Sequence, residues 1–266
     1  MMSSSNGTAV RLTGVSKTFP GYVAVQNISL EVRTGAFLSV VGPSGCGKST
    51  LLNMAAGLLQ PSEGTVEIFG EPLNGINRSA AYMFQQDGLL PWKTVLGNIM
   101  LGLELRSTDA KQAAQRAQSW VRRVGLAGFA DRYPHQLSGG MRKRVAMAQT
   151  WIVDPAIVLM DEPFAALDVH TRMRMEGEIL TLWAETGKTV IFVTHDLEEA
   201  IALSDEVVVL AAGPASRVVG VYPVDLERPR NLIDIKTDAR FVEIYGSIWR
   251  DLREEVLKSY ERDQRA

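Results

Sequence analysis

This sequence has little cysteine, almost no net charge and no long hydrophobic run. Cys46 is the single cysteine among 266 residues, so an intrachain disulfide is excluded and a reducing cytoplasm is the expected setting. Lysine and arginine number 28 against 30 acidic residues, and this near balance gives no basic field that would suggest a nucleic-acid partner. Residues 1–8 lack the basic-then-apolar pattern of a secretory signal. No window approaches the ~20 unbroken apolar residues that span a bilayer, so any membrane role is expected to come through a partner.

What the sequence does contain is an alternation of short β-rich runs and longer helical patterns, which predicts an α/β chain. The β-rich runs are residues 37–41, 65–69, 157–160, 190–193 and 207–210. Three of them, 37–41, 157–160 and 190–193, are apolar almost throughout, as in strands of a parallel sheet that is covered on both faces. Nucleotide chemistry is then expected at the carboxyl ends of these strands.

Between the predicted strands, residues 89–151 form a mostly helical subdomain inserted in a domain of residues 8–225. Its candidate helices are residues 94–105, 109–124 and 139–151. Residues 226–266 form a C-terminal extension with an amphipathic helix. We expect this helix to pack on its own domain, with a membrane surface as the alternative, because its polar face mixes acidic and basic groups. The predicted apolar positions of that helix are Phe241, Ile244, Tyr245, Ile248, Trp249, Leu252 and Val256.

A glycine-rich loop, GPSGCGKST, follows the first apolar run and precedes a helical pattern. Glycines let the backbone wrap around phosphate oxygens, Lys48 can reach the β and γ phosphates, and Ser49 can offer its hydroxyl to Mg²⁺. Cys46 is most simply a small filler that faces away from phosphate, with a redox role as the alternative. The expected nucleotide-binding residues here are Gly42, Pro43, Ser44, Gly45, Cys46, Gly47, Lys48, Ser49 and Thr50.

Two adjacent carboxylates, Asp161 and Glu162, end the run at residues 157–160. Neighbouring positions on a strand point in different directions, so one carboxylate can hold a metal while the other faces the attacking water. We assign Asp161 to Mg²⁺ and Glu162 to the general base. The alternative is a solvated turn before Pro163, which the phosphate loop makes less favourable.

His195 and Gln85 each follow another predicted strand. His195 can donate a hydrogen bond to the γ-phosphate, and Asp196 after it is the expected cap of a helix over residues 198–203. Gln85 offers an amide that can touch both metal and water, with Gln86 as the rival for that role.

At this point the motifs resemble those of the ATP-binding cassette (ABC) ATPases of transporters, over about residues 10–221. They occur in family order: GPSGCGKST, Gln85, the signature motif LSGGM at residues 137–141, the carboxylates Asp161 and Glu162, ALD at residues 166–168, and His195. The resemblance implies ATP hydrolysis with Mg²⁺ on a P-loop fold, with a mostly parallel core sheet, an N-terminal antiparallel β part and a helical subdomain. It also implies that Ser138, Gly139 and Gly140 close over the ATP of a second copy, or of a homologous ATPase, and that Asp168 lies across that interface.

The resemblance also implies an aromatic residue that stacks on adenine. At two other positions this chain departs from the family pattern. Phe19 is the expected stacking residue, with Tyr22 as the fallback. After LSGGM the family commonly has Arg-Gln-Arg and later Ala-Arg-Ala, whereas Lys143 and Gln149 replace the central residues here. These replacements are expected to alter hydrogen bonding around the signature helix while leaving the metal and water positions in place.

The segment GLLPWKTVLGN, residues 88–98, looks like the surface by which such ATPases contact a permease, although an apolar cluster of this kind is as often local core. The sequence LLPW in this segment and the sequence LERPR at residues 226–230 are similar to those of the ATPases of nitrate, aliphatic sulfonate and taurine importers. That implies a peripheral subunit on the cytoplasmic face of the inner membrane, with permease subunits and a periplasmic or extracellular solute-binding protein. The alternatives are a lipid-transport or export ATPase and a soluble ABC ATPase outside transport.

Overall fold

The computed structural model describes residues 7–264 as two compact units. The first unit takes the described residues up to Arg78 and those from Glu176 onward, and the second is Ser79–Met175. The predicted division into residues 8–225, an insert at 89–151 and an extension at 226–266 stays a prediction. Most of residues 1–8, for which no signal was expected, and the last two residues of the extension lie outside the described residues.

Ten β-strands and seven α-helices are found within the described residues. The strands are β1 (Thr8–Phe19), β2 (Tyr22–Arg33), β3 (Phe37–Val41), β4 (Glu63–Ile68), β5 (Glu71–Pro72), β6 (Ala80–Met83), β7 (Ile157–Asp161), β8 (Thr189–Val193), β9 (Glu206–Leu210) and β10 (Val218–Pro223). The helices are α1 (Lys48–Ala55), α2 (Val95–Leu105), α3 (Ala110–Arg123), α4 (Gly139–Trp151), α5 (Val169–Thr186), α6 (Leu197–Leu203) and α7 (Ala239–Asp263).

The first unit contains an antiparallel sheet in the order β2-β1-β4-β5. It also contains a parallel core in which β3 lies between β8 and β9, with β10 antiparallel at the side of β9. Every residue of β3 and of β8 is buried. Complete burial explains why these strands are apolar without alternation, as the sequence predicts.

The second unit pairs β6 and β7 in parallel, with Ala80 opposite Ile157 and Met83 opposite Met160. Helices α2 and α3 each begin one residue later than predicted, because the predicted ranges counted the capping residue as part of the helix. The Thr94 side chain accepts a hydrogen bond from the amide of Gly97, so α2 starts at residue 95. Helix α4 keeps its predicted limits.

Helix α7 packs on the first unit, as expected for the predicted C-terminal helix. Phe241, Ile244, Ile248 and Leu252 are buried in one cluster with residues of β3, α6 and β9. Trp249 was wrongly included in this apolar stripe: the residue is 41% exposed, and its ring stacks on Tyr245 at 6.2 Å between centroids. Position 249 lies one residue past the row formed by 241, 244, 248 and 252, and that step turns its side chain away from the core.

None of the helices within residues 7–264 has both the length and the apolar character needed to cross a membrane.

Candidate active site

The glycine-rich loop joins β3 to α1 through backbone that only glycine accommodates. Gly47, the residue before α1, has φ 93°, and a Cβ built on it would lie 2.5 Å from Cγ1 of Val25. A Cβ on Gly42 would lie 2.7 Å from the Sγ atom of Cys46. Cys46 is fully buried and fills the space beneath the loop, in agreement with the filler interpretation.

Lys48 is the first residue of α1 and is buried. Its Nζ donates to the carbonyl oxygens of Gly42 at 2.8 Å and Pro43 at 3.1 Å. The ammonium therefore lies among the backbone groups of the loop, and a phosphate oxygen can take over these contacts. Ser44, Gly45 and Ser49 are exposed on the same loop, Thr50 is half-buried and Pro43 is buried.

The two candidate aromatic residues face each other across the β1–β2 turn. Phe19 and Tyr22 are 38% and 42% exposed, and the Nζ of Lys17 lies 5.4 Å from the Phe19 ring centroid. The Tyr22 hydroxyl donates to the carbonyl of Gly45 at 3.3 Å. Tyr22, the fallback in the sequence analysis, is thus the aromatic that contacts the phosphate loop, while adenine stacking by Phe19 stays a prediction.

A contact that the sequence does not reveal supports the phosphate loop from α7. The buried Glu255 accepts a hydrogen bond through Oε2 from the amide of Ala212 at 2.8 Å. The next residue, Gly213, lies so close to the loop that a Cβ on it would be 2.9 Å from the Gly45 carbonyl oxygen. No local pattern could have predicted this link, since it joins segments 43 positions apart.

His195 is exposed just beyond β8, on backbone that its neighbours fix. Asp196 caps α6 by accepting from the amides of Glu198 at 2.9 Å and Glu199 at 3.2 Å, so the predicted cap is confirmed. The hydroxyl of Thr194 donates to Glu199 at 2.7 Å and accepts from the Asp196 amide at 3.0 Å. The backbone that presents His195 is therefore well anchored, and its contact with γ-phosphate stays a prediction.

In the second unit, β7 ends on Asp161, and Tyr82 of β6 holds its carboxylate. The Tyr82 hydroxyl donates to Oδ2 of Asp161 at 3.1 Å. Burial, followed by the charge of Asp161, raises the pKa of Tyr82 well above its usual value. Tyr82 thus remains a neutral donor that orients the carboxylate. Sequence reasoning missed this residue, although the parallel pairing of β6 with β7 brings it there.

Glu162 has φ 42°, in the left-handed region that a non-glycine residue rarely occupies. Gln85 donates through Nε2 to Oε2 of Glu162 at 3.2 Å. The structure therefore brings Gln85 of the predicted pair Gln85 and Gln86 to the carboxylate. Backbone strain of this kind is concentrated at functional sites, where the surrounding structure maintains it.

The signature motif starts α4. Ser138 caps this helix by accepting from the amide of Met141 at 3.3 Å, and Gly139 and Gly140 are its first two residues. Ser138 and Gly139 are exposed, whereas a Cβ on Gly140 would lie 2.6 Å from Cγ2 of Thr171. An exposed helix start with this composition can bind an anion, which is the role predicted for it.

Asp168 lies immediately before α5 and is exposed. Its Oδ1 accepts from the amides of His170 at 3.1 Å and Thr171 at 3.0 Å. Hydrogen bonding by Thr171 lowers the pKa of Asp168, so it remains a carboxylate. Its role across an interface stays a prediction.

Lys143, the first departure from the family pattern, is buried in α4 with 4% of its surface exposed. Its Nζ donates to the carbonyl oxygen of Gln85 and lies 3.3 Å from Oδ1 of Asp87. Burial lowers the pKa of Lys143, and Asp87 opposes that shift. Gln149, the second departure, is half-buried on the same helix. The change in hydrogen bonding expected at position 143 thus has a defined geometry.

The oxygen donors predicted for Mg²⁺ suit that ion. A hydroxyl at Ser49, an amide oxygen at Gln85 and a carboxylate at Asp161 are hard ligands, which Mg²⁺ prefers. Within residues 7–264, no group of three or more His, Cys, Asp and Glu could hold a metal.

Comparison with known proteins identifies a matching family and similar relatives. Residues 25–165 match the ABC transporter family. The chain is 49% identical, over 89% of its length and 86% of the relative, to an uncharacterized ABC transporter ATP-binding protein, MJ0412, of Methanocaldococcus jannaschii. It is 43% identical, over 79% of its length and 82% of the relative, to the taurine import ATP-binding protein TauB of Yersinia pestis.

Two further matches concern a longer protein and a solved structure. The chain is 39% identical, over 92% of its length but only 36% of the relative, to the nitrate import ATP-binding protein NrtC of Synechococcus elongatus. Among solved structures, the dimeric post-hydrolysis state of the ATP-binding cassette MJ0796 bound to ADP and Pi has a TM-score of 0.73 and 32% identity. That match covers 82% of this chain and 100% of the other.

Proposed function

This chain belongs to the ABC transporter family as an ATP-hydrolysing subunit, and on that basis we propose that it powers import of nitrate, aliphatic sulfonates or taurine-like solutes. The family, the α/β cassette fold and the ATPase activity predicted from the sequence are confirmed by the matches. The similarity to a taurine import ATP-binding protein over 79% of the chain is the observation that carries the proposal. The similarity to a nitrate import ATP-binding protein supports the same group of solutes.

We propose that the residues of the first unit bind the phosphates and that the residues of the second activate the attacking water. In the first unit, the loop amides and Lys48 bind the triphosphate, and His195 donates to the γ-phosphate. In the second, Tyr82 orients Asp161, and Glu162 takes the proton of the attacking water. Mg²⁺, when bound, neutralises charge on the phosphates, with oxygen ligands proposed at Ser49, Gln85 and Asp161.

We propose that two copies close around two ATP molecules. Ser138 and Gly139 are exposed at the start of a 13-residue helix, a suitable site for the phosphate of another subunit's nucleotide. The exposed Asp168 is the proposed interface residue. ATP favours closure only through contacts made in the closed state, so these residues would convert binding energy into movement.

Contact with the permease is proposed for residues 88–98. Trp92 in this segment is 70% exposed, and Phe84 before it is 50% exposed. Large exposed aromatic side chains are typical anchors of protein interfaces. With a permease bound there, the chain would lie at the cytoplasmic face of the membrane, while a separate solute-binding protein selects the solute.

The experiment that tests this proposal is affinity purification of the tagged chain from detergent-solubilised membranes of its host, followed by mass spectrometry. We expect a permease and a solute-binding protein, which can then be titrated with taurine, alkanesulfonates and nitrate. Trp92→Ala should abolish permease recovery, whereas Trp249→Ala, at another exposed tryptophan, should not.

Other outcomes would favour the two alternatives. Recovery of the chain with ribosomal or DNA-processing proteins and no permease would contradict transport while leaving ATP hydrolysis in place. A permease recovered without any solute-binding protein, together with lipid or exported solute, would contradict import.

A further inference from the structure

We propose that Lys143 is a positioning residue for ATP hydrolysis, which ties the signature helix α4 to the segment that presents Gln85 to Glu162. The proposal rests on the hydrolytic roles assigned above to Gln85 and Glu162. It concerns a residue at which this chain differs from the common family pattern.

The first observation is the burial of a full positive charge. Lys143 is 4% exposed, and an ammonium this deeply buried is stable only when its donors are satisfied. Its partners are the backbone carbonyl of Gln85 and the carboxylate of Asp87, 3.3 Å away. Both partners belong to the segment that follows β6. The charge of Lys143 is therefore used to fasten that segment to α4.

The second observation is that Asp87 is held twice by α4. While Oδ1 faces Lys143, Oδ2 accepts from Nε of Arg142 at 2.8 Å. Arg142 in turn donates through a terminal nitrogen to the Leu137 carbonyl at 2.8 Å. The segment after β6 is thus attached to the residues at the start of α4, where the signature motif lies.

The third observation links this attachment to the carboxylate proposed as the base. Lys143 contacts the main chain of Gln85, and the side chain of the same residue donates to Glu162 at 3.2 Å. Two hydrogen bonds thus connect α4 with Glu162 through a single residue. A shift of α4 by a fraction of an ångström would be transmitted to the amide that contacts the carboxylate.

The variant Lys143→Met separates the donor function of Lys143 from a contribution to the stability of the fold. Removing one partner of a buried ion pair is destabilising when it leaves the other charge uncompensated, but the Asp87 side chain is 21% exposed and keeps its pair with Arg142. Lys143→Met should therefore leave the fold and its melting temperature largely intact, since Arg142 still pairs with Asp87. What it removes is the donor to the Gln85 carbonyl.

The test measures steady-state ATP hydrolysis by the full-length chain and its variants. For Lys143→Met we expect kcat to fall by about 10- to 100-fold, the usual range for partners that orient active-site ligands, with KM for ATP within about twofold of the parent. Lys143→Gln, whose amide can still donate to Gln85, should retain most of kcat. The control is Lys236→Met, at a half-exposed lysine paired with Glu198, and it should match the parent.

A second measurement needs neither nucleotide nor metal. Hydrogen exchange followed by mass spectrometry should show faster exchange of residues 84–88 in Lys143→Met than in the parent or in Lys236→Met. Slow exchange restored by Lys143→Gln would support the donor function rather than packing. If Lys143→Met does not fold, Asp87→Asn replaces it. This variant weakens the attachment of the segment after β6 to both Lys143 and Arg142, so kcat should fall and exchange of residues 84–88 should become faster.

The proposal is overturned if Lys143→Met, or Asp87→Asn in its place, keeps the parental kcat and exchange rate. It is also overturned if kcat, KM and melting temperature all deteriorate together and Lys143→Gln rescues none of them. Because only hydrolysis and exchange are measured, a failed search for an import permease leaves the result for Lys143 unaffected.

Discussion

Glu162 offers a prediction in which stability and catalysis move separately. Its φ of 42° is a strained conformation for a residue with a Cβ, and its carboxylate accepts a hydrogen bond from Gln85. Glu162→Gln keeps the backbone, the size and the acceptor but removes the base. Glu162→Gly removes base, acceptor and strain together. Comparing the two separates the chemical role of the side chain from its structural cost.

The expected magnitudes follow from these contacts. A left-handed conformation costs an L-residue roughly 1–2 kcal/mol, which glycine would recover. Glycine in turn loses roughly 0.5–1 kcal/mol to chain entropy, and the missing hydrogen bond costs about 0.5–1.5 kcal/mol. The free energy of unfolding of Glu162→Gly should therefore stay within about 1.5 kcal/mol of the parent. Both variants should lose about 10²- to 10⁴-fold in kcat, the usual contribution of a general base.

Urea unfolding measures the stability, and phosphate release measures the hydrolysis. ATP should still bind to Glu162→Gln, and the ATP-closed dimer should accumulate on size-exclusion chromatography. Hydrolysis by Glu162→Gln at the parental rate would refute the assignment of the base. A loss of more than about 3 kcal/mol in Glu162→Gly would refute the estimate of strain.

Three further variants test other parts of the chain. Gly47→Ala places a Cβ 2.5 Å from Val25 at φ 93°, so stability should fall by about 2–5 kcal/mol and ATP affinity with it; parental melting and ATP titration would contradict this. Ser138→Ala should reduce turnover more than the first binding of ATP, and equal loss of both would contradict the predicted role of Ser138. Burial and Asp251 raise the pKa of Tyr222 to about 12 from 10.0, so the folded state keeps its proton longer than the unfolded chain. Stability from Tyr222 is present below pH 10 and lost towards pH 12; Tyr222→Phe should flatten that fall in melting temperature, and an unchanged fall would contradict it.

The phosphate loop and the strand ends could be predicted because their chemistry restricts residue types at fixed spacing. Gly47 has a φ of 93°, a local backbone constraint that favours glycine, and Asp161 ends an apolar strand that is easily recognised. Helix caps such as Asp196 are equally local. These features depend on short stretches of sequence, so a single chain suffices to predict them.

Contacts between distant segments could not be predicted in this way. Tyr82 reaches Asp161 across 79 positions, and Lys143 reaches Gln85 across 58. Neither pair has a motif, because each depends on how β6, β7 and α4 pack within the second unit. Even Lys143, noticed as a departure from the family pattern, has no assignable partner until the fold brings Asp87 beside it.

The place of α7 in the first unit has a consequence for synthesis of the protein on the ribosome. Val41 of the central strand lies in the same buried cluster as Leu252 of α7, although the ribosome makes the two far apart in time. At translation rates of ~5–20 residues per second, roughly 10–40 s separate the synthesis of these two members of the cluster. Until α7 has emerged, the apolar residues of α6 and β9 on which it packs stay exposed to solvent on the nascent chain.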